Sequence, residues 1–278
     1  MAIKDLLIAY QGDEGSKNAL RFALQMAKKY DASLTGAYVY SPEQNEGQLR
    51  HWIGDDFVKT MRQVQMEAVS KIEASFHDFV LEHAPEVRHE WVSATGPAGI
   101  TLARLSRTFD LLITGQFEGA IRVGGRSVQP EELLLRAGKP VLMIPKNYNV
   151  RPFREEAVVA WDGSRYAARA LTDTMHILET KRSIDVVTVN SGREGAVLGW
   201  AGSHDVISHL HRHGIDARHI ELETRGRLGR AILEHCEAHD PDMLVMGAFG
   251  RGKLGAMLFG GVSQYILEHQ SIPVLMSH

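Results

Sequence analysis

The residues of this chain that are best suited to chemistry lie between Gly247 and Ser263. An apolar run over residues 243–246 ends at Gly247, a glycine-rich stretch follows, and a helical pattern begins near Val262. Glycine lets an anion approach the backbone closely, and the first amides of a helix have no hydrogen-bond partner within that helix. This order of strand, glycine loop and helix start predicts a backbone site for the phosphates of a nucleotide.

The composition limits the class of protein. A length of 278 residues predicts two domains, and 44% apolar with 23% charged residues is typical of a soluble globular protein. With 31 basic and 34 acidic residues the net charge is −3, which argues against nucleic acid as a partner. The sequence shows neither a signal peptide nor an apolar run long enough to span a membrane. Its single cysteine, Cys236, precludes an internal disulfide, so we predict a cytoplasmic protein without a membrane partner.

The chain contains two copies of one pattern. Residues 110–115 (Asp-Leu-Leu-Ile-Thr-Gly) match residues 242–247 (Asp-Met-Leu-Val-Met-Gly), and residues 7–12 match residues 158–163. Internal repetition on this scale predicts two domains of the same fold. The offset between matching residues falls from 151 to 132 along the repeat, so the first half carries about 19 extra residues.

Each half alternates apolar strand patterns with helical patterns. Five strands per half, separated by helices, predict an α/β fold in which a doubly wound parallel sheet is covered by helices on both faces. We place the two domains at residues 1–147 and 153–278, with a linker within 145–155. The extra residues of the first half extend one long helix, which we predict over residues 48–82.

The repeat also predicts where the unusual residues lie. Asp162 directly follows the first strand of the second half, and Gly247 ends the fourth strand. In open sheets of this kind, ligands bind beyond the carboxyl ends of the strands, where the winding direction reverses. If the first and fourth strands are neighbours, both residues face one crevice. Ser164 is interpreted as part of a turn rather than as a nucleophile.

Two motifs in the second half of the chain resemble those of a known family. The sequence Ala-Trp-Asp-Gly-Ser at 160–164 and the glycine pattern G-x2-G-x9-G that begins at Gly247 resemble the universal stress protein family. The resemblance covers nearly the whole chain and implies a tandem member with two nucleotide α-hydrolase-like sheets, each of five strands in the order 3-2-1-4-5. It implies that the two halves pair through their last strands, and it leaves a homodimer open. Members of the family with the full glycine motif bind ATP.

The resemblance implies a nucleotide-binding set in the second half. Asp162 would lie near the adenosine, and the backbone of Val189, at the end of the second strand, would contact the adenine. The loop glycines would line the ribose and phosphates, and the first amides of the next helix would bind phosphate oxygens. Apart from the resemblance, the positive charge of Arg251 in this loop is expected to help neutralise the phosphates. Ser263 is expected to cap that helix or to replace a missing hydroxyl. The set is Asp162, Val189, Gly247, Gly250, Arg251, Gly260, Gly261, Val262 and Ser263.

Two departures from the family pattern change the expectation. The family has Ser or Thr where this chain has Gly261, and the missing hydroxyl is worth at most about 1.5–3 kcal/mol, so we expect weakened ATP binding. In the first half, the counterparts of Asp162 and of the motif glycines are Gln11, Glu118, Ser127 and Val128. Because a carboxylate at position 118 would repel phosphate, we predict no ATP site in the first half.

Two rival sites are less well supported. The sequence of the glycine loop nearly matches the P-loop motif, but Leu254 occupies the position where that motif has its magnesium-binding hydroxyl. The histidine pairs His209/His213 and His235/His239 have the i, i+4 spacing of zinc ligands. No cysteine pair completes either set, so we interpret both pairs as solvated helix faces and predict no metal site.

The sequence thus predicts a function without catalytic residues. ATP is the expected non-covalent ligand, with or without Mg²⁺, in the second domain. We expect a nucleotide-liganded stress-response sensor that acts through an unidentified protein partner, and not a dedicated enzyme. The alternative is a nucleotide-free dimeric interaction module of the same fold.

Overall fold

The computed structural model describes residues 3–40, 55–116, 121–123, 126–128, 130–190, 198–248 and 261–278. The first half contains β1 (Asp5–Ala9), α1 (Glu14–Tyr30), β2 (Ser33–Tyr40), α2 (Asp55–His83), β3 (His89–Thr95), α3 (Ala98–Leu105), β4 (Leu111–Gly115), β5 (Ile121–Val123), β6 (Arg126–Val128), α4 (Pro130–Ala137) and β7 (Val141–Ile144). The second half contains β8 (Glu156–Ala160), α5 (Arg165–Leu178), β9 (Ser183–Asn190), α6 (Leu198–Arg212), β10 (Ala217–Glu223), α7 (Leu228–His239), β11 (Met243–Gly247), α8 (Gly261–His269) and β12 (Val274–Ser277).

Ten strands form one sheet in the order β10-β9-β8-β11-β12-β7-β4-β1-β2-β3. Within each half all neighbours are parallel, and the order by position along the chain is 3-2-1-4-5. The halves meet where β12 pairs antiparallel with β7, with Leu275 opposite Leu142. The predicted fold class and strand order are confirmed, and the pairing through the last strands occurs within the chain.

Helices cover both faces of the sheet. On one face α1, α2, α5 and α6 pack on alternate strand residues such as Leu6 and Ile8, and on the other face α3, α4, α7 and α8 pack on residues such as Leu7. All three of these β1 side chains are fully buried. Because both faces of the central strands are buried, those strands carry apolar side chains at most positions, which explains the continuous apolar runs of the sequence.

The structure describes the predicted long helix of the first half from Asp55 onward. Helix α2 spans Asp55–His83, and residues 48–54 of the predicted helix lie outside the described residues. Phe76 is fully buried, whereas Met61, Val64 and Met66 are exposed, so the described core contacts of α2 come from its second half. No helix among the described residues is both long and apolar enough to cross a membrane.

A buried charge network joins the two halves at the linker. Lys181 Nζ lies 2.9 Å from Asp242 Oδ2 and 3.3 Å from Glu155 Oε2, and both Lys181 and Asp242 are almost completely buried. Lys29 of α1 also pairs with Glu155, and Arg151 pairs with Asp242. Burial by itself would raise the pKa of Asp242, but the charge and hydrogen bond of Lys181, together with hydrogen bonds from the backbone amides of Arg154 and Glu155, outweigh that effect and lower it. The network therefore fixes the linker against both domains with charged groups that sequence periodicity does not reveal.

Candidate functional site

The first and fourth strands of the second half are neighbours. Strands β8 and β11 pair in parallel with Ala160 opposite Met246, so Asp162 and Gly247 follow adjacent strand ends. Strand β9 lies on the outer side of β8, and β12 lies on the outer side of β11. The winding direction reverses between β8 and β11, and the predicted crevice lies at this position.

A tight turn places Asp162 at the mouth of this crevice. Gly163 has φ +70°, which favours glycine. The exposed carboxylate of Asp162 accepts a hydrogen bond from Ser164 N at 2.9 Å, and the hydroxyl of Ser164 in turn accepts one from Ala167 N at 3.2 Å. Ser164 is thus the N-cap of α5, which confirms its interpretation as a turn residue.

The first half builds the same turn without the aspartate. Gly12 has φ +79°, and Asp13 caps α1 by accepting a hydrogen bond from Ser16 N at 2.7 Å. Gln11 stands at the position of Asp162. The turn therefore belongs to the fold, and the carboxylate of Asp162 is the feature that distinguishes the second half.

The backbone of Val189 faces the same crevice. Along a strand, the N–H and C=O of successive residues point to alternate sides. Val187 O accepts from Trp161 N at 2.8 Å on the β8 side, and Asn190 O accepts from Thr224 N at 3.1 Å on the β10 side. By this alternation, the N–H and C=O of Val189 point to the β8 side, beyond the end of β8 where Asp162 lies.

Gly247 has a packing reason to be glycine. A Cβ added there would lie 2.5 Å from the carbonyl carbon of Tyr166 and 2.6 Å from Ala167 N, because the start of α5 rests on the end of β11. In the first half, a Cβ added at Gly115 would lie 3.1 Å from Gly15 O. Helix packing thus requires glycine at position 247 and leaves little room for a side chain at position 115, and the predicted contact of Gly247 with the ribose and phosphates stays a prediction.

Two rings and one cation lie together at the strand end that contains Gly247, and sequence reasoning missed them. The rings of Tyr166 and His278 lie 5.1 Å apart, and Arg165 donates to Tyr166 Oη at 2.6 Å. Burial lowers the pKa of His278, and the positive charge of Arg165 lowers it further. His278 reaches this position because Ser277 is registered opposite Gly247, so only the pairing of β11 with β12 reveals the group.

The start of α8 is exposed at Gly261 and buried at Ser263. A Cβ added at Gly261 would meet nothing within 4 Å, while the side chain of Ser263 is 2% exposed. The predicted N-cap role of Ser263 is wrong, since α8 already includes Gly261, and its burial weighs against a nucleotide contact. Val262 is half-buried, and its carbonyl oxygen lies close to Gly229 of α7, which holds α8 in place. The predicted site residues Gly250, Arg251 and Gly260 lie outside the described residues.

The first half has a hairpin where the second half is predicted to have its phosphate loop. Strands β5 and β6 pair antiparallel, with Ser127 opposite Arg122 and Val128 opposite Ile121. Ser127 and Val128 are the counterparts of Gly260 and Gly261, so these backbone positions lie in a strand rather than at a helix start. Helix α4 begins at Pro130, a residue without an amide hydrogen. This geometry favours the prediction that the first half has no ATP site.

The structure tests the interpretation of the two histidine pairs as solvated and shows the environment of Cys236. The prediction that His235 lies on a solvated helix face is wrong, because its ring is buried with Nε2 3.0 Å from Asp185 Oδ2. The rings of His209 and His213 lie 4.7 Å apart, and His213 is exposed. Cys236 is fully buried, and burial raises the pKa of its thiol to about 12. A fully buried thiol with a raised pKa is an unreactive packing residue.

Comparison with known proteins identifies the family. The model of the universal stress protein family matches residues 2–145 and 154–278. A universal stress protein from Archaeoglobus fulgidus DSM 4304 aligns with 98% of this chain and 95% of its own, at 20% identity and a TM-score of 0.67. A functionally unknown protein from Pseudomonas aeruginosa PAO1 covers 99% of this chain and 92% of its own, at 16% identity and a TM-score of 0.60. These two likenesses show the fold alone.

A shorter relative carries a nucleotide in its crystal structure. This universal stress protein, in complex with cAMP, aligns with 53% of this chain and all of its own, at 20% identity and a TM-score of 0.32, so its ligand describes that protein only. A search of curated proteins found no match. The family match covers both halves, and the chain therefore belongs to the universal stress protein family as a tandem member.

Proposed function

We propose that the second domain binds ATP non-covalently and that the protein is a nucleotide-responsive stress protein rather than a dedicated enzyme. The observation that carries this proposal is the adjacency of β8 and β11 at the reversal of winding. It brings the carboxylate of Asp162, the strand end at Gly247 and the outward-facing backbone of Val189 to one crevice. This is the position at which open α/β sheets bind their ligands.

Each part of an adenine nucleotide has a complementary group there. The N–H and C=O of Val189 supply a donor and an acceptor for the edge of the base. A carboxylate offers about four acceptor sites, so the bond from Ser164 leaves Asp162 capacity for the hydroxyls of a ribose. The α8 amides at Gly261 and Val262 belong to a helix start, where partial positive charge favours phosphate.

Slow hydrolysis follows from the same assignment. A general base must lie within about 2.6–3.2 Å of the water that it activates. Asp162 is assigned to the adenosine end of the ligand and is oriented by the turn, so it is poorly placed to activate water at the terminal phosphate. We further propose a cytoplasmic location and a protein partner that responds to ATP occupancy.

Titration calorimetry with ATP and Mg²⁺ tests the proposal on the full chain. Gly261→Ser adds the family's hydroxyl in open space and is expected to tighten ATP binding by about tenfold, the effect of one hydrogen bond to a charged group. Asp162→Asn keeps an oxygen for the turn but removes the charge, and is expected to weaken binding by about tenfold. Gln11→Ala, the matched change in the first half, is expected to leave the affinity unchanged.

A second function is favoured by one observation. Gly247 and Gly115 are both explained by helix packing, so a glycine at this strand end does not require a ligand. A nucleotide-free interaction module would keep it for that reason alone. If millimolar ATP releases no heat and leaves the melting temperature unchanged for the parent and for Gly261→Ser, the interaction module is the better description.

A further inference from the structure

A second cluster of ligand-type side chains lies away from the nucleotide crevice. Asp185 of β9 and His235 and His239 of α7 each offer one metal-ligand atom, and these atoms lie within 4.8 Å of one another. Among the described residues, no other group of three or more such side chains lies this close together. Asp185 precedes Val189 by four residues on β9, which is about 13 Å along the strand. The cluster is therefore separate from the proposed ATP site.

The two histidines share one face of α7. Residues at i and i+4 are neighbours on a helix surface, and the rings of His235 and His239 have centroids 4.2 Å apart. Asp185 points to the same ring pair from β9, because its Oδ2 lies 3.0 Å from His235 Nε2. Two imidazoles and one carboxylate form a ligand set that zinc accepts, with a fourth position for water.

His239 is held in the orientation that a metal ligand requires. Its Nδ1 lies 2.9 Å from the backbone oxygen of His235. A carbonyl oxygen only accepts hydrogen bonds, so Nδ1 carries the proton, and Nε2 of the neutral ring has a free lone pair. Metal-binding histidines are oriented in this way, by an N–H bond from the second nitrogen to a carbonyl or carboxylate.

The first half shows that the fold does not need these polar groups. Counting along the matching strands β2 and β9, Thr35 takes the place of Asp185. Counting from the matching glycines Gly99 and Gly229, Leu105 takes the place of His235. The same sheet and helix thus pack together without a buried carboxylate and imidazole, so packing alone does not explain why the second half has them.

We propose that Asp185, His235 and His239 bind a divalent transition-metal ion, with zinc as the reference ion. Ligand atoms about 2.0–2.2 Å from a tetrahedral zinc lie about 3.3–3.6 Å from each other, somewhat more than the present 3.0 Å between His235 Nε2 and Asp185 Oδ2. The metal takes the place of the proton shared by these two atoms, and that ring proton moves to Nδ1 of His235.

One cation competes with the metal. Arg218 donates from Nε to Asp185 Oδ1 at 2.6 Å and from Nη2 to Oδ2 at 3.2 Å. The Arg218 side chain is 65% exposed, so it can turn into solvent when the metal arrives. Its positive charge beside the site is expected to weaken metal affinity, because like charges repel.

Zinc titration of the full chain tests the site, with the visible spectrum of Co²⁺ as a readout of tetrahedral coordination. His239→Ala changes an exposed residue and is expected to weaken binding more than about tenfold, the least that loss of even an outer-shell partner commonly costs. His269→Ala is the matched control, because His269 has the same Nδ1 bond to a carbonyl one turn earlier, at 2.9 Å. It is expected to bind as the parent does.

A third variant tests the assignment of the carboxylate. Arg218→Ala removes the competing charge and is expected to tighten zinc binding several-fold, whereas weaker binding would contradict placement of the metal on Asp185. The proposal is overturned if His239→Ala binds zinc as tightly as the parent, or if His269→Ala loses as much affinity. In that case the cluster is only a charge-paired contact between β9 and α7.

Discussion

The substitution Gly247→Ala separates the structural role of this glycine from its predicted role in binding. The added Cβ would lie 2.5 Å from the carbonyl carbon of Tyr166, 2.6 Å from Ala167 N and 2.8 Å from Tyr166 Cβ. Ordinary carbon contacts are about 3.5–4.0 Å, so the start of α5 has to retreat by about 1 Å. Two of the three atoms are backbone, which a rotamer change cannot move away.

The cost follows from these contacts. Overpacking of a well-packed site costs about 1–3 kcal/mol. We expect the upper part of that range, because retreat of Ala167 also strains the capping bond from its amide to Ser164, a type of bond worth about 1 kcal/mol. For a domain of this size each kcal/mol lowers the melting temperature by about 2–4 °C, so a fall of about 5–10 °C is expected.

Thermal unfolding without nucleotide is the assay. Gly261→Ala is the control, because nothing lies within 4 Å of its added Cβ and Ala is a better helix former than Gly, so its stability is expected to equal or slightly exceed that of the parent. If Gly247→Ala has the same melting temperature as the parent, α5 does not rest on β11 as described. Loss of ATP binding in this variant would then report on the crevice itself and not on a displaced helix.

Two further predictions concern burial of charge. Lys181→Met removes one partner of the buried pair with Asp242 and is expected to lower the free energy of unfolding, measured by chemical denaturation, by about 3 kcal/mol. The control Lys59→Met removes one partner of an exposed pair and is expected to lower it by less than about 1 kcal/mol. Equal losses in the two variants would contradict the burial of the network. Burial lowers the pKa of His176, so the unfolded chain binds a proton more readily and this residue contributes stability that is present above about pH 6.5 and lost as the pH falls. His176→Gln is therefore expected to lose less stability than the parent between about pH 7 and pH 5, and a parallel decline of both would refute this origin.

Local patterns were sufficient for the fold because the same pattern occurs twice. Continuous apolar runs such as residues 243–246, each ending in glycine or a turn, identified strands that are buried on both faces. The turn at Ser164 was predictable from the sequence because turn chemistry depends on neighbours along the chain, and the structure adds that Ser164 caps α5 and that Gly163 has a positive φ. The family resemblance supplied the strand order, which periodicity alone does not give.

Contacts between residues that are distant in sequence could not be predicted from such patterns. The spacing of His235 and His239 was visible, but burial of His235 depends on Asp185, which approaches from another strand. The burial of Lys181 could not be predicted from the sequence, because it depends on the linker and on Asp242, which enclose this side chain only after folding. The β5–β6 hairpin also went unpredicted, since its short strands carry little periodic signal.

Periodicity, glycine conformation and repetition along the chain were enough to predict the doubled α/β fold, its turns and the position of the candidate crevice. The folded arrangement was needed to learn why Gly247 is a glycine, which way the backbone of Val189 faces, and which charged groups are buried together. Those properties depend on distances between segments that the chain brings together only on folding. Burial and pairing energies are set by these distances rather than by residue type alone.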